Sequence, residues 1–569
     1  MKKTILLVLL FASITAFAQE WQWAKRGGST DNISESFTVL REQVVSMVTD
    51  SDNNVYILAP VGKNNLNVDG VPKTNYGNSN TVDYMIASFS CTGTYRWSKV
   101  IGGGNDDYMW NIVIDTDDNI YGVGRSIPGT SSSNTVHFDN DIVLPTSSSS
   151  TNTFKKSIFM IKYNKNGEFQ WLKMPQPDDV SFVTTFSQTT SGPVVLNNDG
   201  TITWMVFIPA GVFADGAYIN SLSGSTIHLL KYNTNGEFIS GTPMDVNFGG
   251  TTFFSMKLYS NPINGTLYVV GEKAPDFTIT VGSQNVTGNV YVAAFSPTGS
   301  FLWLKQSTGI NIGLITSAID VDGNIYFAGE TFNNVSFEGL EFTSPDINSF
   351  PYLFKISSTG VPLWVSTASF SAALGSTING IVANGNEVLS TGGAGQLNWG
   401  NFSLFSPIGT GFDTYVATFN ATTGAVNNLI ELTSNVGCSD FGTAATVDSN
   451  GSYYIGGWFS CGLTVGTTVL QNTGQSDFFV AKYGSNDCSL SVAEQEINEI
   501  VAFPNPTKGL VRFSGLEQAT KIQVYSPLGQ LVLEKSATNE IDLSSFARGI
   551  YLVKVFDGEK VQLIKVMKD

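Results

Sequence analysis

The chain has 569 residues, 42% of them hydrophobic and 12% aromatic, which is enough apolar material for several cores. Only 14% are charged, against roughly 25% in ordinary soluble domains, so Ser, Thr, Asn and Gly must cover much of the surface. The net charge of −17 argues against a nucleic-acid partner, which needs a basic face, and against electrostatic docking on anionic lipid.

Residues 1–18 have the layout of a signal peptide. Lys2 and Lys3 supply the positive start, Ile5 to Ala12 the apolar run, and Ala16-Phe17-Ala18 the small residues of a cleavage site, placing the cut after Ala18. The apolar run is short for a bilayer span, and no later segment is longer or more apolar. No transmembrane span is therefore expected once the signal is removed.

From residue 19 to 485 two landmarks recur. The first is a polar turn followed by an aromatic-rich run: Asp52-Asn53-Asn54-Val55-Tyr56, then copies ending at Tyr121, Thr203, Tyr268, Tyr326, Val388 and Tyr454, spaced 58 to 82 residues apart. Asn-Gly and Asp-Gly steps in these turns tolerate positive φ, which predicts tight hairpins of type I′. The second landmark is an apolar run, a glycine, and a Trp four residues on. It occurs around Gly93/Trp97, Gly167/Trp171, Gly299/Trp303 and Gly360/Trp364, with Ser240 and Asn428 in the Trp place after Gly236 and Gly424. Two landmarks in register predict units of four short antiparallel strands, apolar on both faces because each packs between like neighbours. Radial stacking of such units is a β-propeller. Tandem β-sandwiches need about 100 residues each, more than the spacing allows.

Seven hairpins but six internal Trp strands leave the last unit one strand short. Glu20-Trp21-Gln22-Trp23-Ala24-Lys25 resembles Phe301-Leu302-Trp303-Leu304-Lys305, so the mature N-terminus is expected to be the missing outer strand. The fold class predicted is all-β: a seven-bladed β-propeller closed by the N-terminal strand (residues 19–485), a polar linker (486–499), and a small C-terminal β-sandwich (500–569). The Asp-x-Asp-Gly-Asn-Ile-Tyr and Phe-Phe-Val-Ala-Lys-Tyr phrases resemble the β-propeller repeats of bacterial secreted proteins, a resemblance that implies fold and no particular function.

The tail opens with Pro504-Asn505-Pro506, continues through Leu528-Gly529-Gln530 and Gly549-Ile550-Tyr551, and ends on a lysine-rich run. These residues resemble the type IX secretion C-terminal sorting domain of the Bacteroidetes, although Asp569 ends the chain where a basic residue is usual. The resemblance implies export through the inner membrane by the signal peptide and recognition of the tail, with Pro504, Asn505, Pro506, Gly529, Gly549 and Tyr551 as its motif, by the type IX machinery. It also implies a protein that is secreted or held at the outer cell surface.

Few residues suggest chemistry. Asp50/Asp52, Asp115/Asp117 and Asp320/Asp322 put carboxylates two apart as calcium loops do, but none has the further oxygen ligands and the glutamate of such a loop. Calcium is the one cofactor they raise, and turn capping is the preferred reading. The repeated Trp residues read as packing between blades; Trp110, Trp399 and Trp458 are the candidates for stacking on a sugar. His137 and His228 are the only histidines, which disfavours a Ser-His-Asp triad or a zinc site. Cys438 precedes the first strand of the last unit and Cys461 follows its second, so a Cys438–Cys461 disulfide is expected; Cys91 and Cys488, after third strands of adjacent blades, form the secondary pairing.

The functional expectation is an exported or cell-surface propeller for binding or adhesion, with an extracellular glycan or protein as partner and no catalytic residue. The alternative is an extracellular hydrolase or lyase acting on polysaccharide. That would require carboxylates such as Asp31, Asp106, Asp107 and Asp440 to converge at one rim.

Overall fold

The computed structural model describes residues 19–31, 41–77, 81–104, 106–126, 135–139, 142–144, 158–176, 190–247, 256–273, 277–308, 312–332, 335–343, 350–369, 376–405, 411–435, 437–485, 488, 501–514, 519–527, 530–536, 538–557 and 560–569. Ala18, Gly529 and most of residues 486–499 lie outside these. The chain divides into two compact units, residues 1–490 and 491–569, and the described elements are almost entirely strands.

Among its described residues the first unit contains six four-stranded antiparallel sheets and a seventh, six-stranded one, in which a hairpin at residues 67–72 extends a four-stranded core. Sheet 1 holds Ser46–Thr49, Val55–Val61, Asp83–Phe89 and Tyr95–Ile101; sheet 2 holds Tyr108–Ile114, Ile120–Arg125, Ile158–Tyr163 and Phe169–Lys173. Sheet 3 holds Thr190–Leu196, Ile202–Ile208, Thr226–Tyr232 and Phe238–Pro243; sheet 4 holds Lys257–Ser260, Leu267–Glu272, Val290–Phe295 and Phe301–Gln306. Sheet 5 holds Ile312–Ile319, Ile325–Thr331, Phe350–Ile356 and Pro362–Thr367; sheet 6 holds Ser376–Asn384, Glu387–Ala394, Asp413–Asn420 and Val426–Glu431. Sheet 7 holds Asp440–Val447, Tyr453–Phe459 and Asp477–Gly484. Its fourth strand is Glu20–Gly28, antiparallel to Asp477–Gly484 with Ala24 opposite Ala481 and Gly27 opposite Phe478.

Each sheet is an up-and-down meander, and its third strand is buried along its whole length in sheets 1, 2, 4 and 5. Such a strand has no solvent face, which is why runs like Phe350–Ile356 are apolar rather than alternating. The first strands of successive sheets pack side by side from sheet 1 to sheet 7, and the first strand of sheet 7 packs on that of sheet 1.

The turn between first and second strands departs from the expected type I′. In five of the seven, the N–H three residues on and the C=O four residues on bond back to one Asp or Asn, as in Asn53 N–H to Asp50 O and Asp50 N–H to Asn54 O, both 3.0 Å. One residue per turn has positive φ, such as Asn53 (61°) or Gly323 (78°). These are three-residue loops with a single left-handed residue, so a glycine, asparagine or aspartate that tolerates positive φ is needed once and not twice.

The long period has a source the sequence pattern did not show. Every sheet carries a small hairpin between its second and third strands, and each hairpin bonds to the chain at the end of the preceding sheet's fourth strand. The links are Gly102 with His137 (sheet 1 to 2), Ser307 with Phe337 (4 to 5) and Ser369 with Asn398 (5 to 6). Val246 pairs with Val281 (3 to 4) and Thr433 with Thr464 (6 to 7). Ala214 N–H bonds Pro175 O at 2.7 Å (2 to 3). Gly27, at the end of Glu20–Gly28, pairs with Val68 in the hairpin of sheet 1.

The second unit has two sheets. One holds Val501–Phe503, Leu510–Ser514 and Glu540–Asp542; the other holds Leu531–Ser536, Ala519–Tyr525, Gly549–Asp557 and Lys560–Lys568. Val511, Phe513 and Ile541 of the first share a core with Ile522, Val524, Val553, Val555 and Val566 of the second. Asn505 fixes the last strand: its side-chain oxygen accepts Met567 N–H (2.8 Å) and its amide donates to Lys565 O (2.7 Å). The Tyr551 hydroxyl donates to Ala547 O at 2.9 Å.

Candidate functional site

The residues that stand out in the sequence are consumed by the scaffold. Asp320 Oδ1 accepts N–H from Asp322 (3.0 Å) and Asn324 (2.8 Å), while Oδ2 accepts from Asn324 Nδ2 (2.9 Å) and Tyr326 OH (3.1 Å). Asp50 and Asp115 repeat this set with Tyr56 and Tyr121. A cation completes each network, a third-strand lysine in three of them and a fourth-strand arginine in the other: Lys355 to Asp320 at 3.5 Å, Lys482 to Asp448 at 3.7 Å, Lys162 to Asp115 at 3.9 Å, Arg96 to Asp50 at 3.6 Å. Carboxylate oxygens already met by four donors and a cation are turn caps. Burial and the Asp carboxylate together hold the Tyr56, Tyr121 and Tyr326 hydroxyls well above the usual phenol range. Among the described residues no group of three or more His, Cys, Asp or Glu is placed to hold a metal.

The Trp series joins one sheet to the next. Trp97 Nε1–H donates to Lys165 O (3.0 Å), Trp171 to Thr234 O (3.2 Å), and Trp364 to Ala421 O (3.1 Å). Each ring lies on a glycine of the receiving turn, Gly167, Gly236 or Gly424, where a Cβ would strike it. Trp23 of Glu20–Gly28 does the same to sheet 1, donating to Cys91 O at 2.8 Å over Gly93. Lysines of the third strand reinforce two of these joints, with Lys162 donating to Thr234 O and Lys355 to Ala421 O, both 2.9 Å.

The cysteines form two disulfides. Cys438 joins Cys461 across the end of sheet 7, with Cα atoms 5.9 Å apart. Cys91, in the sheet 1 turn that receives Trp23, joins Cys488 just beyond sheet 7, with Cα atoms 5.6 Å apart.

The four rim carboxylates do not converge. Asp31 accepts the N–H groups of Lys63 and Asn64, Asp106 that of Val82, Asp107 that of Gly103 and Asp440 that of Thr414. They serve three different sheet junctions. Asp440 is buried beside Asp413, and burial pushes its carboxyl up to about 7. Glu42, which the sequence reading passed over, is wholly buried against Asp477; it accepts Ser29 N–H and Gly62 N–H, both at 2.7 Å, and burial raises it to about 8.

Two of the three sugar-stacking candidates are core residues. Trp399 is 1% exposed and donates to Ser366 Oγ at 2.9 Å; Trp458 is 5% exposed, stacked on Phe441 and covered by Arg41 at 3.7 Å. Their aromatic character gave the expectation, but strand interiors claim them. His228 is likewise internal, with Nδ1 against Tyr218 OH (2.6 Å), Nε2 against Thr226 Oγ1 (2.8 Å), and burial lowering it to about 4.

Trp110 alone reaches a cavity. That cavity, about 550 Å³, is lined by residues of or beside the first strands of all seven sheets. Polar groups of its wall tie neighbouring first strands together. Asn111 brackets Val194, with Nδ2 to O at 2.9 Å and Val194 N to Oδ1 at 3.0 Å; Ser46 Oγ accepts Ile112 N–H at 3.2 Å; Thr443 donates to Val44 O at 2.5 Å; Tyr259 donates to Ser317 O at 2.5 Å. Lys257 is the only Lys, Arg, His, Asp or Glu among the described lining residues. No sequence landmark marks it, because it lies in a first strand, outside both repeated phrases.

Residues 501–569 match the family described as the secretion system C-terminal sorting domain. This tail marks the protein for type IX secretion, to the cell surface or the extracellular space, and so for contact with that machinery. No curated protein matches the chain. Among solved structures, it overlaps a quinohemoprotein alcohol dehydrogenase from Comamonas testosteroni at 10% identity, over 81% of this chain and 76% of that one, with a TM-score of 0.35. A protein of unknown function from Dyadobacter fermentans gives 10% identity, 81% and 99% coverage, and a TM-score of 0.35. The extracellular domain of a hybrid two component system from B. thetaiotaomicron gives 11% identity, 96% and 99% coverage, and 0.21. Likenesses at these scores carry no argument, so the reading of the first unit rests on its own strand order. No helix among the described residues is long and apolar enough to cross a membrane.

Proposed function

We propose that the protein is an exported, non-catalytic binding module: a seven-bladed β-propeller (residues 19–485) joined by a linker (486–499) to a sorting β-sandwich (500–569). Residues Glu20–Gly28 close the ring as the outer strand of the seventh blade, after signal cleavage at Ala18. Three facts support closure: the sheet 7 pairing of that strand, the Trp23 joint, and the packing of first strand seven on first strand one. The observation that carries the functional reading is the cavity walled by all seven first strands, which lacks carboxylates among its described lining residues and mixes apolar and hydroxyl groups. A polysaccharide hydrolase needs two carboxyl groups facing one bond, whereas Asp31, Asp106, Asp107 and Asp440 each accept backbone amides at separate places.

The test is a glycan and extracellular-protein array probed with the mature full-length chain, run beside a reducing-end assay on the same polysaccharides. Retention on at least one ligand class without product release is expected. Steady release of reducing ends or unsaturated products would overturn the binding reading.

A further inference from the structure

The inner lysines of the propeller follow a rule that Lys257 breaks. Lys162, Lys355 and Lys482 are buried and each faces the turn aspartate of its own blade. Lys257 begins the first strand of blade four, and its side chain is open to the central cavity. Among the described residues it has neither an ion pair nor a hydrogen bond, and no other formal charge lines that cavity. Lys257 is exposed to the open space of the cavity, so its ammonium is free to pair with an anion that enters there, and it is the one formal charge on the described wall that could do so. The protein mass around the cavity lowers the affinity of Lys257 for its proton, in the direction expected where no carboxylate stands beside it.

The surroundings narrow the class of anion. Ile315 is 39% exposed although it belongs to an inner strand, and it lines the same cavity as the half-buried ring of Trp110. An inorganic ion would leave this apolar surface wet, whereas an organic body would cover it. The chain's net charge of −17 disfavours casual accumulation of anions, so retention depends on a local site.

We propose that the central cavity binds a small organic carboxylate, its charged end paired with the Lys257 ammonium and its body lying against Ile315 and Trp110. The proposal rests on the reading of the chain as a closed-ring binding protein and deepens it by naming the ligand class.

The test uses the mature full-length protein, with titration calorimetry against benzoate and glucuronate, their neutral counterparts benzyl alcohol and glucose, and inorganic sulfate. Binding of at least one carboxylate, with its neutral counterpart silent and sulfate weaker, is expected. K257Q should weaken that binding by at least about tenfold while K257R keeps most of it, as expected when a charge and not packing is removed. A second readout is independent of affinity: limiting acetic anhydride followed by peptide mapping should modify Lys257, and the bound carboxylate should slow that modification. Equal carboxylate binding by K257Q, no carboxylate binding by the wild type, or labelling of Lys257 untouched by every probe would overturn the site. If the arrays return a ligand that K257Q still binds, the binding-protein reading stands and only the cavity site falls.

Discussion

Replacing Trp23 by alanine tests whether the N-terminal strand is a true blade strand. The ring is 8% exposed, packs on Gly93, lies near Phe89 (6.3 Å) and Tyr454 (5.8 Å), and gives its N–H to Cys91 O. Truncating a buried Trp to Ala costs about 3–5 kcal/mol, and leaving the Cys91 carbonyl unmet adds about 1 kcal/mol. Trp364, 7% exposed and bonded to Ala421 O, is the internal control, because chain connectivity plays no part in its joint. Urea unfolding of the full-length chain, followed by far-UV circular dichroism, should give similar losses of about 5 kcal/mol for Trp23→Ala and Trp364→Ala. The comparison cancels uncertainty in the unfolded state, since both changes remove the same atoms. A loss under about 1 kcal/mol for Trp23→Ala beside a full loss for Trp364→Ala would mean that residues 20–28 merely lie on the surface, and ring closure by this strand would be refuted.

Two further predictions concern the same seam. Glu42 is raised to about 8 in the folded chain, whereas an unfolded glutamate titrates near 4.5, so the folded state holds a proton that the unfolded state releases. Its contribution is complete below pH 4.5 and is lost as pH rises to about 8; urea midpoints should therefore fall between pH 5 and 8, and Glu42→Gln should flatten that slope, with an unchanged slope counting against the assignment. Cys91–Cys488 spans 397 residues and Cys438–Cys461 spans 23. The chain-entropy account puts their removal at about 6 and about 3 kcal/mol, so Cys91→Ser/Cys488→Ser should lower the melting temperature more than Cys438→Ser/Cys461→Ser, and the reverse order would contradict the clasp role of the first bridge.

Much of the scaffold is legible in the sequence because its chemistry is local. Asp320 and Tyr326 are six residues apart and meet across one turn, so the repeated phrase carries its own explanation. Trp97 can be recognised as a repeat, but its acceptor, Lys165 O, lies 68 residues on, and only the fold brings the two together. The inserted hairpins are harder to see: strands of two to four residues, such as Val136–His137, carry no periodicity. Glu42 falls in a stretch without landmarks, and its burial comes from three distant segments around Ser29, Gly62 and Asp477. Lys257 is equally silent, since one lysine in an acidic chain has no pattern until neighbouring first strands surround it.

This difference in legibility bears on where specificity can reside. A residue that recurs in sheet after sheet must satisfy a need those sheets share, and here those needs are turn capping and attachment to the next sheet. Asp320, Tyr326, Trp364 and Lys355 are spent on them, each with partners inside the scaffold. A ligand site must instead break the repeat, because identical sheets would offer identical surfaces. Lys257 breaks it by charge and Trp110 by its ring, and both line the cavity bordered by the first strands of the seven sheets. Propeller function is therefore sought in non-repeating residues of the first strands, and the most repetitive letters of the chain are its least informative about ligand.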